Sequence, residues 1–271
     1  MPVITTNTAA NSAVRYLNIN SSDQSSSLSK IASGSRITKA SDDAAGLAIS
    51  TRISSDVVAL EQAATNASHA TAMLQTADGA ASNISDILMR MKALATQASS
   101  ATVTDTERSY INAEFTNLAE EITSVATGAR YNNVSLLDGT GSFGAVMVGS
   151  NSSDTISLSF TDLDATALSL NATTISDQTT ATAALTAITS AIGSVSAARA
   201  SLGAQQSRFE FQADTIATSI ENLSAANSAI EDVDVASEQA KLSSAEVKVQ
   251  AAVAALASAN QMPQALLKLL Q

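Results

Sequence analysis

Two long stretches of the sequence place small and apolar residues at a regular step of three or four positions. The first stretch runs from Ile49 to Ala98 and the second from Ala181 to Ile230, and neither contains a proline. Their mean step of about 3.5 residues is the spacing of a coiled-coil seam. Two helices of matched length with a reversal between them most simply pack side by side and antiparallel. The sequence therefore predicts a mainly α fold, a long antiparallel helical bundle or coiled coil.

The segment between the two long helices predicts a third helix and one small β-hairpin. The third helix fits Thr104 to about Thr127, where apolar residues share one face. Alternating apolar and small residues on both sides of a turn-rich stretch predict the hairpin near residues 142–160. Residues 161–178 are rich in Thr, Ser, Asp and Ala, and we expect an irregular surface connection there. The residues expected to cap the start of the first long helix are Ser41, Asp42 and Asp43.

Both ends of the chain carry further apolar stripes at the same spacing, which one isolated helix could not bury. We expect the two terminal helices to pair and to order only against partners, with folding back onto the chain's own bundle as the alternative. Breaks in the pattern divide the chain into an N-terminal core helix at 1–40, a rod domain at 41–230 and a C-terminal core helix at 231–271. The residues expected to form the shared polymerisation core are Val3, Val14, Leu17, Leu28, Ile31, Leu242, Val249, Leu256, Leu266 and Leu270.

Composition excludes several classes of function. The 271 residues carry a net charge of -11, and no cluster of Lys and Arg could neutralise a run of phosphates, so we expect no nucleic-acid partner. The absence of cysteine removes disulfides, thiolate metal sites and thiol catalysis. The first residues show neither the basic nor the apolar region of a secretion signal, and no run of about 18 apolar residues occurs. We therefore expect no cleaved signal peptide and no membrane span.

The chain lacks the groups that catalysis usually brings together. His69 is the single histidine, so a His-based metal site or a Ser-His-Asp relay lacks its parts. Adjacent helical residues point about 100° apart, so paired carboxylates favour helix capping or a solvated face over a two-acid hydrolase. Those pairs are Asp42/Asp43, Glu120/Glu121 and Glu231/Asp232. We expect a structural protein with no catalytic residue, cofactor or metal site.

Four strings of the sequence resemble segments of bacterial flagellins. Residues 33–49 read SGSRITKASDDAAGLAI and resemble the N-terminal signature of that family. Residues 128–139, 230–238 and 259–270 are similar to the stretch after its short helix, its C-terminal hinge and its C-terminus, in the same order. The residues that carry this signature are Ser33, Gly34, Arg36, Asp42, Asp43, Gly46, Asn260, Gln261 and Pro263.

The resemblance implies a structural subunit of the extracellular flagellar filament used for swimming, with the terminal helices paired to form the filament core. The implied partners are further copies of the chain in a helical homopolymer, the flagellar type III export apparatus, an export chaperone, the filament cap and the hook-junction proteins. Export of the unfolded subunit would account for a missing signal peptide. The short connection between the long helices implies a form without large outer variable domains. The alternatives are a hook-filament junction protein of the same export system and an extracellular hydrolase.

The resemblance also extends to the surface that the vertebrate innate flagellin receptor contacts. The matching residues are Arg90, Leu94 and Glu114, whereas the residues that depart from the family pattern are Met89, Lys92 and Ala93. These departures remove an amide, replace a guanidinium by an ammonium and delete a carboxylate. They leave recognition by that host receptor open.

Overall fold

The computed structural model describes residues 7–141 and 143–269, and the side chains of those residues up to 261. Five helices and four short strands occur in this part of the chain, in the order α1 Thr8–Ser33, α2 Ala44–Ala98, α3 Asp105–Gly128, β1 Arg130–Tyr131, β2 Val134–Ser135, β3 Ala145–Met147, β4 Thr155–Ser157, α4 Gln178–Glu231 and α5 Val235–Leu269. The mainly α fold class is confirmed.

The chain divides into two compact units. Unit 1 comprises the described residues of 1–57 and 221–271, and unit 2 comprises those of 58–220. Helices α1 and α5 lie wholly in unit 1, and α3 with the four strands lies in unit 2. Helices α2 and α4 contribute residues to both units.

The long helices α2 and α4 pack antiparallel in unit 2. Arg199 Nε of α4 lies 2.8 Å from Asp78 Oδ1 of α2, and the amide of Gln178 donates to the Ser99 carbonyl at 3.1 Å. Residue numbers therefore rise from Gln178 to Arg199 along α4 while those of their partners fall from Ser99 to Asp78 along α2. The two helices are antiparallel. Large side chains that are fully buried in this unit include Leu74, Ile84, Leu88 and Met91 of α2 and Ile188 and Phe209 of α4. The regularly spaced residues that the sequence predicts to form the contact between the two long helices are therefore the ones that are buried in unit 2.

Helix α4 has the composition of a membrane span, since one 18-residue window has a mean hydropathy of 1.4, with 33% of that window buried. By length and composition it is the one helix in the described part of the chain that could cross a membrane. Its buried residues recur every three or four positions, from Ala181 through Ile188 to Val195. That period is typical of a helix that packs one face in a bundle.

Helix α3 begins with a capping box and is bonded to the end of α2. The Thr104 hydroxyl accepts from the Glu107 N–H at 3.4 Å, and the Glu107 carboxylate accepts from the Thr104 N–H at 2.8 Å. The buried Arg108 donates to the Ala98 carbonyl at 2.8 Å, which caps the C-terminus of α2. The buried face of α3 contains Phe115, Ala119, Ile122 and Ala126, whereas the apolar residues Ile111, Leu118 and Val125 are only half-buried.

The predicted hairpin is confirmed by β3 and β4, which are shorter than the sequence pattern. Val146 pairs with Ile156 in an antiparallel register, and Ile156 is buried. A second hairpin, β1 with β2, was not predicted from the sequence. Its turn places Asn132 at φ 48° and Asn133 at φ 64°, a left-handed conformation that asparagine tolerates.

Residues 161–178 have no helix or strand before α4, as expected, but the segment does not lie wholly at the surface. Leu163 and Ile175 are fully buried, and Ala165, Leu168 and Leu170 are buried beside them. The irregular backbone is satisfied by the rest of unit 2, since Leu163 N–H donates to the Leu137 carbonyl at 2.9 Å and Ile175 N–H to the Asn112 amide oxygen at 2.8 Å. The segment therefore closes the core of unit 2.

Candidate assembly site

The helix pair α1 and α5 in unit 1 forms the candidate site, and a backbone junction holds its base. Helix α1 is capped by Gly34, the residue after its last one, which has φ 72° and so adopts the left-handed conformation that glycine allows without strain. Arg36 N–H donates to the Glu231 carbonyl at 2.6 Å, and Val233 N–H donates to the Gly34 carbonyl at 3.0 Å. The Arg36 guanidinium also donates to the Ile230 carbonyl at 2.6 Å. The segments that precede α2 and follow α4 are therefore bonded to each other.

The two adjacent aspartates before α2 have different partners. Asp43 accepts from the Gly46 N–H at 2.8 Å and caps the first turn of α2, as expected. Asp42 instead accepts from the Thr38 hydroxyl at 3.0 Å and from the Lys39 N–H at 3.1 Å, in the preceding turn. The Thr38 hydroxyl is the main cause that lowers the pKa of Asp42. This pair stabilises local turns in the junction.

Helices α1 and α5 are joined by polar contacts at both ends of the pair. The Ser27 hydroxyl of α1 donates to Glu238 Oε1 of α5 at 2.7 Å, and Lys241 Nζ lies 2.8 Å from Glu238 Oε2. At the other end, the Asn7 amide, at the N-cap of α1, donates to the Ala259 carbonyl at 2.8 Å. Glu238 is only 5% exposed, and donation from Lys241 and then from Ser27 lowers its pKa, against the opposing effect of burial. These contacts set the antiparallel pairing of the terminal helices.

The predicted core residues are only partly covered within one chain. Leu242 is buried, Leu17, Ile31, Val249 and Leu256 are half-buried, and Val14 and Leu28 are 41% and 56% exposed. Val3 and Leu270 lie outside the described residues, as do the side chains of Pro263 and Leu266. The exposed signature residues Asn260 and Gln261 lie on α5. A single chain therefore leaves part of its apolar terminal stripe open to solvent.

Further exposed apolar side chains on α1 and α5 were not found from the sequence. They are Tyr16, Ile19, Val235, Val247 and Val253, with exposures between 44% and 65%. They lie off the seam spacing, so a search for heptad positions passes over them. The sequence could have indicated these residues in one way only. They are large and apolar at helix positions where a solvent-exposed face usually carries polar residues.

The residues that resemble a receptor contact do not all lie on one surface. Arg90 of α2 and Glu114 of α3 form an exposed ion pair, with Nη2 2.6 Å from Oε1. Leu94 is only 3% exposed and so offers almost no surface to a partner. The exposed His69 lies on α2, and the described residues contain no group of three His, Asp or Glu side chains placed to hold a metal ion.

Comparison with known families bears on this helix pair directly. A family model described as the bacterial flagellin N-terminal helical region matches residues 4–142, which is more than half of the chain. The chain belongs to the bacterial flagellin family. A second model, the bacterial flagellin C-terminal helical region, matches residues 185–270. The matched segments include the pairing regions of both α1 and α5.

Individual flagellins match over part of their length. The flagellin of Halalkalibacterium halodurans is 39% identical over 166 residues, which are 61% of this chain and 61% of that protein. The flagellin of Escherichia coli K12 is 37% identical over 166 residues, which are 61% of this chain and 33% of that protein. The chain thus spans less than two thirds of these relatives. The crystal structure of Bacillus cereus flagellin superposes with a TM-score of 0.52 at 30% identity, covering 56% of this chain and 88% of that one.

Proposed function

We propose that this chain is a structural subunit that polymerises through α1 and α5 into the extracellular bacterial flagellar filament used for swimming. The observation that supports this function best is the open apolar surface of the terminal helix pair, where Val14, Leu28 and Val253 are between 41% and 56% exposed. Surface of this kind on a monomer marks an interaction site. Membership of the flagellin family supports a filament as the assembly in which it is covered.

The pairing of α1 with α5 gains its full stability in the polymer. Within one chain, Ser27 is the buried residue of α1, and its partner is the carboxylate of Glu238. The polar contacts of Ser27 and Asn7 and a half-covered apolar stripe contribute little against the cost of ordering long helices, roughly 1 to 2 kcal/mol of backbone entropy per residue. Neighbouring subunits supply the missing apolar burial, so addition is favourable only at a growing end.

The remaining expectations belong to this proposal. The chain acts without catalysis, cofactor or metal, and it leaves the cell unfolded through the flagellar export apparatus with an export chaperone. It contacts the filament cap and the hook-junction proteins during growth. Export requires the predicted terminal core helices at 1–40 and 231–271 to be unfolded. Assembly then requires the same two segments to fold and pair.

Seeded elongation tests the proposal. Purified chain is added to short filament fragments, and growth is followed by light scattering and electron microscopy. We expect filaments to lengthen with the full chain and not with a chain that lacks residues 1–31, although the truncated chain keeps the unfolding transition of unit 2. Failure of the full chain to elongate any seed would show that the proposed function is wrong. Elongation of the truncated chain at the normal rate would show that α1 has no part in assembly.

A further inference from the structure

A cavity of about 400 Å³ lies in unit 2, between α3 and the irregular segment that precedes α4. Its wall on α3 includes Thr116, Glu120 and Thr123, which share one face of the helix because they are four and three positions apart. The opposite wall is formed by residues between 165 and 174. Sites for small molecules typically have volumes of about 300–1,000 Å³. The cavity is therefore large enough for one small ligand.

The lining of this cavity combines an apolar floor with polar side chains near its mouth. Its buried lining residues are Ala119, Ala165 and Leu170, so the deeper part of the cavity is apolar. Four exposed lining residues have polar side chains that form no hydrogen bond with another described residue. They are Glu120, Thr166, Asn171 and Thr174. An apolar surface with a few convergent polar groups is typical of a site for a small ligand.

Hydrogen bonds hold the second wall of the cavity in one shape. The Ala165 N–H donates to the Thr123 hydroxyl at 3.4 Å, and the Leu170 N–H donates to the Ala165 carbonyl at 2.8 Å. Between them, Ser169 has φ 57°, a left-handed conformation that is uncommon for serine. Such a conformation persists only where surrounding contacts enforce it. The cavity is thus formed before a ligand arrives, which lowers the entropic cost of binding.

The chemistry of the lining favours a ligand with a positive charge and several hydroxyl groups. Glu120 is the one charged residue of the lining, and no Lys or Arg of the described chain forms an ion pair with it. Acidic residues also outnumber basic ones in unit 2, so its surface attracts cations and repels anions. The Asn171 amide and the threonine hydroxyls can both donate and accept, which matches the hydroxyl groups of a ligand.

We propose that this cavity binds one ring of an amino sugar. The ammonium group pairs with Glu120, the hydroxyl groups bond to Asn171 and Thr174, and the C–H face of the ring covers Leu170. A free amino sugar and the terminal residue of a glycan both offer this chemistry. The cavity lies wholly in unit 2, whereas α1 and α5 lie in unit 1, so the inference does not depend on polymerisation.

Titration of the full chain with glucosamine tests the inference, at a slightly acidic pH that keeps the amine protonated. We expect saturable changes in the NMR signals of backbone amides in 116–123 and 165–174, with one ligand per chain. Glucose lacks the ammonium group and should bind at least about tenfold more weakly, because a hydrogen bond to a charged group is lost. Glucuronate carries a negative charge and should not bind. Absence of saturable changes with glucosamine, or changes confined to other residues, overturns the inference.

The methyl glycoside of glucosamine distinguishes the two sources of the ligand. Affinity equal to that of glucosamine identifies the end of a glycan as a ligand, since the linked position then needs no contact. Weaker binding of the glycoside restricts the site to the free sugar. Both results support an amino-sugar site, because both require glucosamine itself to bind.

Two adjacent glutamates provide a matched pair of variants. Glu120→Gln should weaken the binding of glucosamine at least about tenfold and change that of glucose little, because only the ammonium group needs the charge. Glu121→Gln changes net charge equally, at an exposed residue of α3 that does not line the cavity, and should bind normally. Circular dichroism should be the same for both variants. Equal losses of affinity in the two variants overturn the inference, and seeded elongation of the same samples tests the proposed function separately.

Discussion

The buried carboxylate of Glu238 makes the terminal pair sensitive to acid. Its pKa lies below the ordinary value of 4.5, chiefly because Lys241 and Ser27 donate to the ionised form. Because the pKa of Glu238 is lower in the folded chain than in the unfolded chain, its contribution to stability is complete at pH values above its unfolded-state pKa. That contribution is lost as the pH falls through its folded-state pKa. Protonation would remove the ion pair with Lys241 and weaken the acceptor for Ser27.

We predict that the contribution of Glu238 to the stability of the α1–α5 pair is constant above about pH 5 and declines as pH drops below the ordinary carboxylate range. Glu238→Gln should lower the temperature of depolymerisation at neutral pH and reduce the acid-dependent decline, because one titrating group is gone. The control Glu221→Gln changes an exposed glutamate of unit 1 and should keep the original profile. Light scattering during heating at several pH values measures both. An unchanged decline in the Glu238 variant would contradict the assignment.

The start of α2 contains a glycine that a larger residue could replace only if neighbouring side chains shift. A Cβ at Gly46 would lie 2.5 Å from Asp43 Oδ2 and 2.8 Å from Ile37 Cδ1. Asp43 could retreat only by giving up its capping bond to the Gly46 N–H. A side chain at position 46 would therefore also remove the hydrogen bond by which Asp43 caps α2.

Gly46→Ala should destabilise the chain by about 1 to 2 kcal/mol, the range for loss of an N-cap. Gly79→Ala is the matched control, since this residue is also in α2 and a Cβ added there would meet no other atom within 4 Å. Alanine has the higher helix propensity, so that variant should gain up to about 1 kcal/mol. Urea unfolding of both variants measures the difference, and equal effects of the same sign would contradict the explanation.

Among the elements, the helices were predictable and the irregular parts of unit 2 were not. Heptad spacing marks α2 and α4 because a buried helix face repeats its apolar residues every three or four positions. The β1–β2 turn depends on two asparagines in left-handed conformation, and an asparagine pair occurs in many other contexts. Leu163 and Ile175 gave no periodic signal, because an irregular backbone has no fixed relation between spacing and burial.

The β3–β4 hairpin is attached to the long helices by side-chain amides. Gln205 of α4 accepts from the Ser159 N–H at 3.0 Å and donates to the Ser159 carbonyl at 2.9 Å. Gln212 donates to the Val148 carbonyl at 3.1 Å, and Asn66 of α2 donates to the Met147 carbonyl at 3.3 Å. Gln205 lies within the stretch 181–230 of regularly spaced small and apolar residues, and this attachment explains a polar residue there.

Gln205→Ala should loosen the hairpin while leaving the helices folded. Loss of two hydrogen bonds to one residue costs about 1 kcal/mol where solvent can replace them, equivalent to about fivefold faster amide exchange. Hydrogen exchange of the β3 and β4 amides measures this directly. The neighbouring Gln206→Ala removes an amide whose side-chain contact, to Glu210, is 3.5 Å long, and it should leave hairpin exchange unchanged. Equal exchange in both variants would show that the attachment is unimportant.

For the whole molecule, the two units differ in how completely they bury their apolar residues. Unit 2 fully buries side chains such as Phe115, Phe209 and Leu163, whereas unit 1 leaves Val14 and Leu28 open. The predicted boundaries at 40 and 231 follow the breaks between helices, whereas the compact units divide within α2 and α4. A periodic pattern continues through a helix whether or not its partners change, so it does not reveal where one compact unit ends. The predicted domain limits therefore remain a prediction about assembly.

This difference predicts that assembly and the stability of unit 2 can be separated by one substitution. Leu256 is half-buried on α5, so Leu256→Asp places a charge in the terminal pair and should abolish seeded elongation. The unfolding transition of unit 2 should keep its midpoint, because its buried residues lie between 58 and 220. Leu256→Met preserves volume and apolar character and should retain most of the elongation rate. Calorimetry and scattering on the same samples measure both properties, and a loss of the unit 2 transition in the aspartate variant would show that the two units fold as one.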